Sequence, residues 1–254
     1  MKEYKISSMS EYVSHIEKLS ECGDYWFRGV ARVKQTPQPG VVWRDLYANE
    51  GTLEHYFLVG YKAYLDNHNL NSWEIFALMQ HHGLPTRLLD WSESALVALF
   101  FALTSEPDYD GYRCIWVLNP FSLNKKTLGQ PKIYCPSVME NRHVNNINLD
   151  SYLPPNLSPA KAGGTPAQAI AIQSSQHIKR VSSQKGCFTV HGTSPEHIGT
   201  YLPEAEDFHM IKIDVRTKAK RKAMLNVLGT MGIDEEFIFQ DLDSLCERIK
   251  RLYM

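Results

Sequence analysis

Apolar and polar residues alternate along the chain with two different periods. Apolar residues three and four positions apart predict helices, and short runs rich in aromatic and β-branched residues predict strands. The predicted helices cover residues 9–21, 50–66, 73–82 and 93–104, a short polar stretch before residue 187, and the segments KAKRKAMLNVLGTMG and DLDSLCERIKRLY. The predicted extended segments cover residues 25–30, 86–91, 112–120, 167–173, 187–190 and 209–215. Because these elements do not follow the spacing of βαβ units, the pattern predicts an α+β fold with mixed or antiparallel sheets flanked by helices.

Small polar residues mark the ends of the predicted helices. Ser8, Ser72 and Ser92 precede apolar helical patterns and are the predicted N-caps, and Gly83 follows the third helix as a terminator. The Ser8 cap is reinforced by Glu11, which stands at capping-box spacing.

The domain organisation follows from where this periodicity is lost. Residues 121–166 are rich in Asn, Pro, Ser and Gly and keep no sustained period, which predicts a long irregular insertion. We therefore expect a single domain over residues 1–254, with a core over about 25–215 and a helical tail over 217–254.

Composition narrows the class of protein. The 254 residues include 27 Lys and Arg against 28 Asp and Glu, a formal charge of −1, and 43% are hydrophobic, which excludes a disordered chain and a strongly basic nucleic-acid arm. Five dispersed cysteines without a CxxC pair argue against a zinc ribbon. The N-terminus lacks the apolar core of a signal peptide, and the longest apolar run, 95–103, is too short to span a bilayer. We expect a cytoplasmic protein with no membrane partner.

The first candidate site is the Phe-Arg-Gly tripeptide at 27–29, which ends a predicted strand. Arg28 supplies a rigid fork of donors that suits phosphate or carboxylate, and Gly29 allows a ligand to approach the backbone. An arginine in a surface ion pair is the alternative interpretation.

The second candidate is the polar segment that precedes the apolar helix 93–104. Its residues are His81, His82, Thr86, Arg87, Asp90, Trp91, Ser92 and Ser94. A buried helix start offers free N–H groups that bind anions, so the segment predicts an anion site. The alternative is structural: Asp90 or Ser92 caps the helix, Arg87 pairs with Asp90, and one histidine belongs to the core. No third ligand follows the histidines at a metal-binding spacing, so no metal is expected.

Two further segments carry polar side chains. Gln184 and Lys185 precede a short strand that ends at His191, where a side chain could reach a pocket. Cys187 in that strand has the surroundings of a buried small hydrophobe rather than a nucleophile. The basic residues Lys218, Lys220, Arg221 and Lys222 form the candidate contact with nucleic acid or nucleotide phosphate, with a solvated helix face as the alternative.

These blocks together resemble a known family. FRG at 27–29, HHGLPTRLLDWSESALVALFFA at 81–102, IWVLNP at 115–120 and QKGCFTVHG at 184–192 resemble the FRG-domain family in content and order. The tail GIDEEFIFQDLDSL is also similar to the C-terminal end of that family. The blocks lie between about residues 25 and 192.

The resemblance implies an activity, because the layout of FRG domains is similar to that of the ADP-ribosyltransferase superfamily. The implied protein is an NAD-dependent transferase, a bacterial toxin or antiphage effector that uses NAD as substrate, with a protein or nucleic-acid target and an antitoxin partner. The implied catalytic residues are Arg28, His82, Asp90 and Gln184. The implied NAD-binding residues are Phe27, Gly29, His81, Thr86, Arg87, Trp91, Ser92 and Ser94.

One position departs from that pattern. Transferases of this kind usually carry a Glu on the third element, where this chain has Gln184, so Asp90 or Glu93 would have to supply the carboxylate. The alternative function is a non-catalytic module that binds a nucleotide or a nucleic acid through the same pocket.

Overall fold

The computed structural model describes residues 2–65, 69–159, 163–173, 175 and 179–253. Its strands are β1 (Glu3–Ile6), β2 (Trp26–Val30), β3 (Leu88–Ser92), β4 (Arg113–Leu118), β5 (His143–Val144), β6 (Ile147–Asn148), β7 (Ile170–Gln173), β8 (Gly186–Val190) and β9 (Phe208–Ile213). Its α-helices are α1 (Met9–Ser20), α2 (Gly40–Trp43), α3 (Glu50–Gly60), α4 (Ser72–His81), α5 (Ala95–Thr104), α6 (Pro120–Leu128), α7 (Lys179–Ser183), α8 (Lys218–Thr230), α9 (Glu235–Phe239) and α10 (Leu242–Tyr253).

Seven of these strands form one mixed sheet in the order β1-β9-β4-β2-β3-β8-β7. β1 lies parallel to β9, and every other neighbouring pair in this sheet is antiparallel. The short strands β5 and β6 pair separately. The predicted α+β class is therefore confirmed.

Helices cover the two halves of one sheet face separately. α1, α5 and α8 pack on the half formed by β2, β4 and β9, where Phe27, Ile115 and Ile211 face them. α3 and α4 pack on the half formed by β3, β8 and β7. The opposite face carries a continuous core that includes Trp26 and Trp91. The boundary between the two covered halves lies between β2 and β3.

β2 and β3 diverge at this boundary. Phe27 pairs with Ser92, whereas each strand is registered over five residues with its other neighbour, β4 or β8. α5 packs closely on β2 because Gly29 has no side chain: a Cβ there would lie 1.8 Å from the carbonyl oxygen of Ala98. The fold thus opens a gap in the sheet directly beside the Phe-Arg-Gly tripeptide.

The prediction of an irregular insertion over 121–166 is wrong at its start, because α6 occupies its first residues. The Asn119 side chain accepts hydrogen bonds from two backbone N–H groups at the helix start, Pro120 occupies the first turn, and Gly129 ends the helix in the left-handed conformation. These local signals were present in the sequence, but the polar composition of the helix hid its period.

Other boundaries differ by a few residues. Asn71, not Ser72, caps α4, and Ser94, not Ser92, caps α5. The helix predicted over 50–66 ends at Gly60 and continues as a 3-10 helix to Tyr64. The sequence patterns did not predict β1 or α9. β1 is extended because it adds to the sheet beside β9, which no local pattern reveals.

Candidate active site

A cleft of about 390 Å³ lies at the gap between β2 and β3, with α4 and α5 on its sides. Its walls include Arg28 of β2, Gln80 and His81 of α4, Asp90 of β3, and Gln184 from the turn before β8. Residues from the blocks at 27–29, 81–102 and 184–192 therefore meet at one concave surface.

Arg28 lies in the gap itself. Its Nη1 donates to the Asp90 carbonyl at 2.7 Å and lies 3.8 Å from the Asp90 carboxylate, and the Arg28 side chain is 27% exposed. Burial lowers the pKa of Arg28, and the negative charge of Asp90 opposes that effect. Among the described residues, the hydrogen bond of the Arg28 side chain is made by Nη1. The other N–H donors of the guanidinium are therefore available to a ligand anion.

A chain of hydrogen bonds holds the Asp90 carboxylate in place. Gln80 Nε2 donates to Asp90 Oδ2 at 2.7 Å, and the Thr86 hydroxyl donates to Gln80 Oε1 at 2.7 Å. The Leu88 N–H in turn donates to Thr86 Oγ1 at 3.0 Å. Thr86 is fully buried and does not line the cleft, so its predicted contact with NAD is wrong in this geometry.

The sequence patterns did not predict Gln80 as a site residue. Its position next to two histidines at the end of a predicted helix could have indicated it. It joins α4 to β3 through the Asp90 carboxylate. Gln80 therefore positions the acid of the cleft.

Ser92 and Gln184 join the block at 81–102 to the block at 184–192. The Ser92 hydroxyl donates to the Gln184 carbonyl at 2.6 Å and accepts from the Ser94 N–H at 2.9 Å. The Gln184 side chain donates instead to the Ile238 carbonyl in α9, at 3.1 Å. Ser94 accepts from the Val97 N–H as the cap of α5, so both serines have structural partners.

The two histidines separate as expected for neighbours on a helix, which project about 100° apart. His81 lines the cleft, whereas His82 is exposed at the C-terminal end of α4 and does not. The base role predicted for His82 therefore has no geometric support, and His81 is the histidine within reach of a ligand.

The two aromatic residues predicted to bind NAD are both buried. Phe27 lines the cleft, and so does Trp91, but the Trp91 side chain is buried and its Nε1 donates to Thr189 Oγ1 at 3.0 Å. The Phe27 side chain is buried as well, at 6% exposed against 3% for Trp91, so neither ring is open for stacking on a ligand in this conformation. Gly29 lines the cleft, yet its missing side chain is required by α5 rather than by a ligand.

Arg87 lies away from the cleft, in a buried ion pair. Its Nε is 2.8 Å from both carboxylate oxygens of Glu50, and its Nη1 donates to the His191 carbonyl at 3.1 Å. The Arg87 and Glu50 side chains are 2% and 7% exposed. Neither the predicted NAD clamp nor the predicted Asp90 pair is therefore correct for Arg87. Burial raises the pKa of Glu50, and Arg87 opposes this rise.

His191 is buried, and both Arg28 and Arg87 lie near enough to act on its charge. Its Nε2 is 3.1 Å from Thr189 Oγ1, the same hydroxyl that accepts from Trp91. Burial and the positive charges of Arg28 and Arg87 lower the pKa of His191 to about 3, so the ring is neutral at physiological pH. It is a structural residue, as is Cys187, whose thiol pKa is raised by burial.

One of the four basic residues predicted to contact nucleic acid is not at the surface. The Arg221 side chain is buried and donates to the carbonyls of Pro107 and Tyr109, so Arg221 cannot contact a nucleic acid in this conformation. Lys218 is 74% exposed and lies 3.8 Å from Asp108. Lys220 and Lys222 are also exposed. Three lysines of α8 thus remain as a basic surface.

The described residues show neither the pattern of a metal site nor that of a membrane-spanning helix. Across the part of the chain that the structure describes, no three His, Cys, Asp or Glu side chains come together as a metal site. Among the described helices, none combines the length and the apolar character that crossing a bilayer requires.

Comparison with known proteins bears on the same region. Neither the curated proteins nor the solved structures give a match to this chain. The family model of the FRG domain matches residues 23–111, which contain Arg28, Gln80, His81 and Asp90 of the cleft. Residues 23–111, about a third of the chain, therefore carry an FRG domain.

Proposed function

We propose that the protein is an NAD-dependent enzyme of the ADP-ribosyltransferase type and that the cleft between β2 and β3 is its active site. The observation that carries this proposal is the Arg28 guanidinium in the sheet gap beside the fixed carboxylate of Asp90. An anion-binding fork next to a carboxylate suits NAD⁺, which has a diphosphate and a cationic nicotinamide.

The size of the cleft is compatible with part of NAD⁺. A volume of about 390 Å³ falls at the lower end of ligand pockets. A larger groove of about 860 Å³ adjoins it and shares Phe27 as a wall. The nicotinamide ribose would occupy the cleft, and the rest of the dinucleotide would extend into this groove.

The reaction breaks the bond between nicotinamide and ribose C1′ through an oxocarbenium-like state, and the bond electrons leave with neutral nicotinamide. Asp90, held by Gln80, would stabilise the developing positive charge, a role that carboxylates perform in glycoside chemistry. Arg28 would hold the diphosphate. His81 would orient a ribose hydroxyl or accept the proton of the acceptor group that bonds to C1′.

Release of nicotinamide from NAD⁺, together with calorimetric titration of NAD⁺, tests this proposal. We expect Arg28→Gln to lose NAD⁺ binding and Asp90→Asn to bind NAD⁺ but release nicotinamide at least about a hundredfold more slowly. The matched control is Arg32→Gln, which removes an arginine that is half exposed and pairs with Glu106. If wild type and Arg28→Gln behave alike and neither binds NAD⁺, the proposal fails.

The cellular role that fits this activity is a toxin or antiphage effector, held in check by an antitoxin, with a protein or nucleic acid as target. Expression should then arrest growth, and Arg28→Gln or Asp90→Asn should relieve the arrest at equal protein level. Arrest that persists in both variants would contradict a catalytic toxin.

A second candidate is a non-catalytic module that binds a nucleotide or nucleic acid. The observation that favours it is Gln184, which carries no charge and whose amide is engaged by Ile238. NAD⁺ binding without nicotinamide release would support this alternative. Salt-dependent RNA or DNA binding, lost on changing Lys218, Lys220 and Lys222 together to alanine, would identify α8 as the contact.

A further inference from the structure

The C-terminal helix α10 carries an apolar stripe on its outer surface. Its members are Leu242, Cys246, Ile249 and Tyr253, whose spacing of four, three and four residues keeps them within an arc of about 60°. Leu242 is 78% exposed, Ile249 is 46% exposed and Tyr253 is 83% exposed. Such a stripe has the spacing of a helix–helix seam rather than that of a solvated face.

A different side of α10 faces the rest of the protein. Ser244 is buried and Leu245 is half-buried. Arg248 pairs with Asp234 and Glu236 at 2.7 and 3.1 Å, which joins α10 to α9. Since these contacts leave the outer stripe uncovered by the described residues, the stripe remains available to a second helix.

The charges beside the stripe indicate which helix fits. Asp243 and Lys250 lie on the same flank, one at each end of the stripe, and both are exposed. When a helix pairs with a second copy of itself in antiparallel orientation, the same flank of the two copies comes together. The N-terminal end of that flank in one copy then lies beside its C-terminal end in the other. Asp243 of one copy then faces Lys250 of the other, twice in each pair. A parallel pair would offer no such match.

We propose that this protein self-associates through α10 as an antiparallel, two-fold symmetric helix pair. Cys246 of one copy packs against Ile249 of the second copy, and Leu242 packs against Tyr253 of the second copy. A groove of about 760 Å³ lined by Phe237 and Leu242 provides space for that tyrosine ring. Lys250 also contacts Glu247 in its own helix at 2.7 Å, so the pairing would extend a charge network.

The pair should be weak and concentration-dependent. A helix of 12 residues is about 18 Å long, which is short for an interface of the standard size of about 1,600 Å². We expect a dissociation constant of about 10–100 µM.

Sedimentation equilibrium of the full chain over about 5–500 µM tests the charge match. Asp243→Lys or Lys250→Asp alone should weaken association about tenfold, and the double swap should restore it. Tyr64→Glu, a change at an 87% exposed residue on another surface, is the control and should leave association unchanged. A monomer at every concentration, or a double swap that associates no better than the single swaps, overturns the proposal.

Oxidative crosslinking tests the orientation. In a Cys22→Ser background, which removes the other exposed cysteine, Ile249→Cys should form a disulfide with Cys246 of a second copy. The background protein, with Cys246 alone on this helix, should crosslink much less. Efficient crosslinking of that background protein would mean a parallel pair and overturns the antiparallel arrangement.

Discussion

Replacing Arg87 by methionine separates the structural role of this arginine from the ligand role that its sequence position suggests. Arg87 Nε contacts both Glu50 oxygens at 2.8 Å, and both side chains are almost fully buried. Methionine keeps much of the length of the side chain but removes the charge and all donors. The Glu50 carboxylate is then left in the protein interior without its partner.

The expected loss of folding stability in Arg87→Met is large. Breaking a buried ion pair from one side destabilises a protein by about 3–5 kcal/mol, because the remaining charge stays desolvated. That is a large fraction of the stability of about 5–15 kcal/mol that folded proteins have. The double variant Arg87→Met with Glu50→Gln should recover at least about half of the loss, since no buried charge remains.

The pH dependence of the stability lost in Arg87→Met follows from the same buried ion pair. Burial already raises the pKa of Glu50, and Arg87 opposes that rise, so Arg87→Met raises the Glu50 pKa further. An acid whose pKa is higher in the folded state than in the unfolded state lowers stability as the pH rises. The penalty of Arg87→Met should therefore be greater at pH 8 than at pH 5.

Urea denaturation followed by circular dichroism at these two pH values measures the effect. The control is Arg32→Met, which breaks an exposed arginine–glutamate pair with a 2.6 Å contact and should cost less than about 1 kcal/mol. The reasoning is refuted if Arg87→Met and Arg32→Met cost the same. Under the proposed function, the folded fraction of Arg87→Met should bind NAD⁺ like wild type. Loss of that binding would mean that Arg87 contacts the ligand.

Three further predictions follow from packing and charge. Gly29→Ala should lower the free energy of unfolding by about 1–3 kcal/mol in urea titration, because its Cβ would lie 1.8 Å from a carbonyl oxygen of α5. Gly60→Ala, with open space around the new Cβ, should cost far less. Burial and two arginine charges lower the pKa of His191 to about 3, below its unfolded value of about 6.5. Stability should therefore fall as the pH drops from 7 to 5, by about 2 kcal/mol from this group, and His191→Gln should flatten that slope in the same titration. Arg221→Ala should lower the melting temperature, since its buried guanidinium donates to the carbonyls of Pro107 and Tyr109, whereas Lys222→Ala at an exposed position should not.

The sequence alone determined those features that depend on neighbours in the chain. Apolar spacing located α5, and capping-box spacing located the start of α1, where Ser8 accepts from the Glu11 N–H at 3.2 Å. The Phe-Arg-Gly tripeptide and the block at 81–102 also predicted the FRG domain, whose family model matches residues 23–111. These predictions succeeded because a helix cap or a period of 3.6 is a local property that tertiary contacts here did not override.

Tertiary structure alone decided which polar residues share the cleft. Thr86, Arg87 and Asp90 are almost adjacent in the sequence, yet Asp90 lines the cleft while Thr86 and Arg87 are buried elsewhere. Successive residues of a strand point to opposite faces, so the pairing of β3 with β8 and its divergence from β2 determine which side chains meet a ligand. The partner of Arg87, Glu50, lies 37 residues away in the chain, and no spacing rule could have identified it.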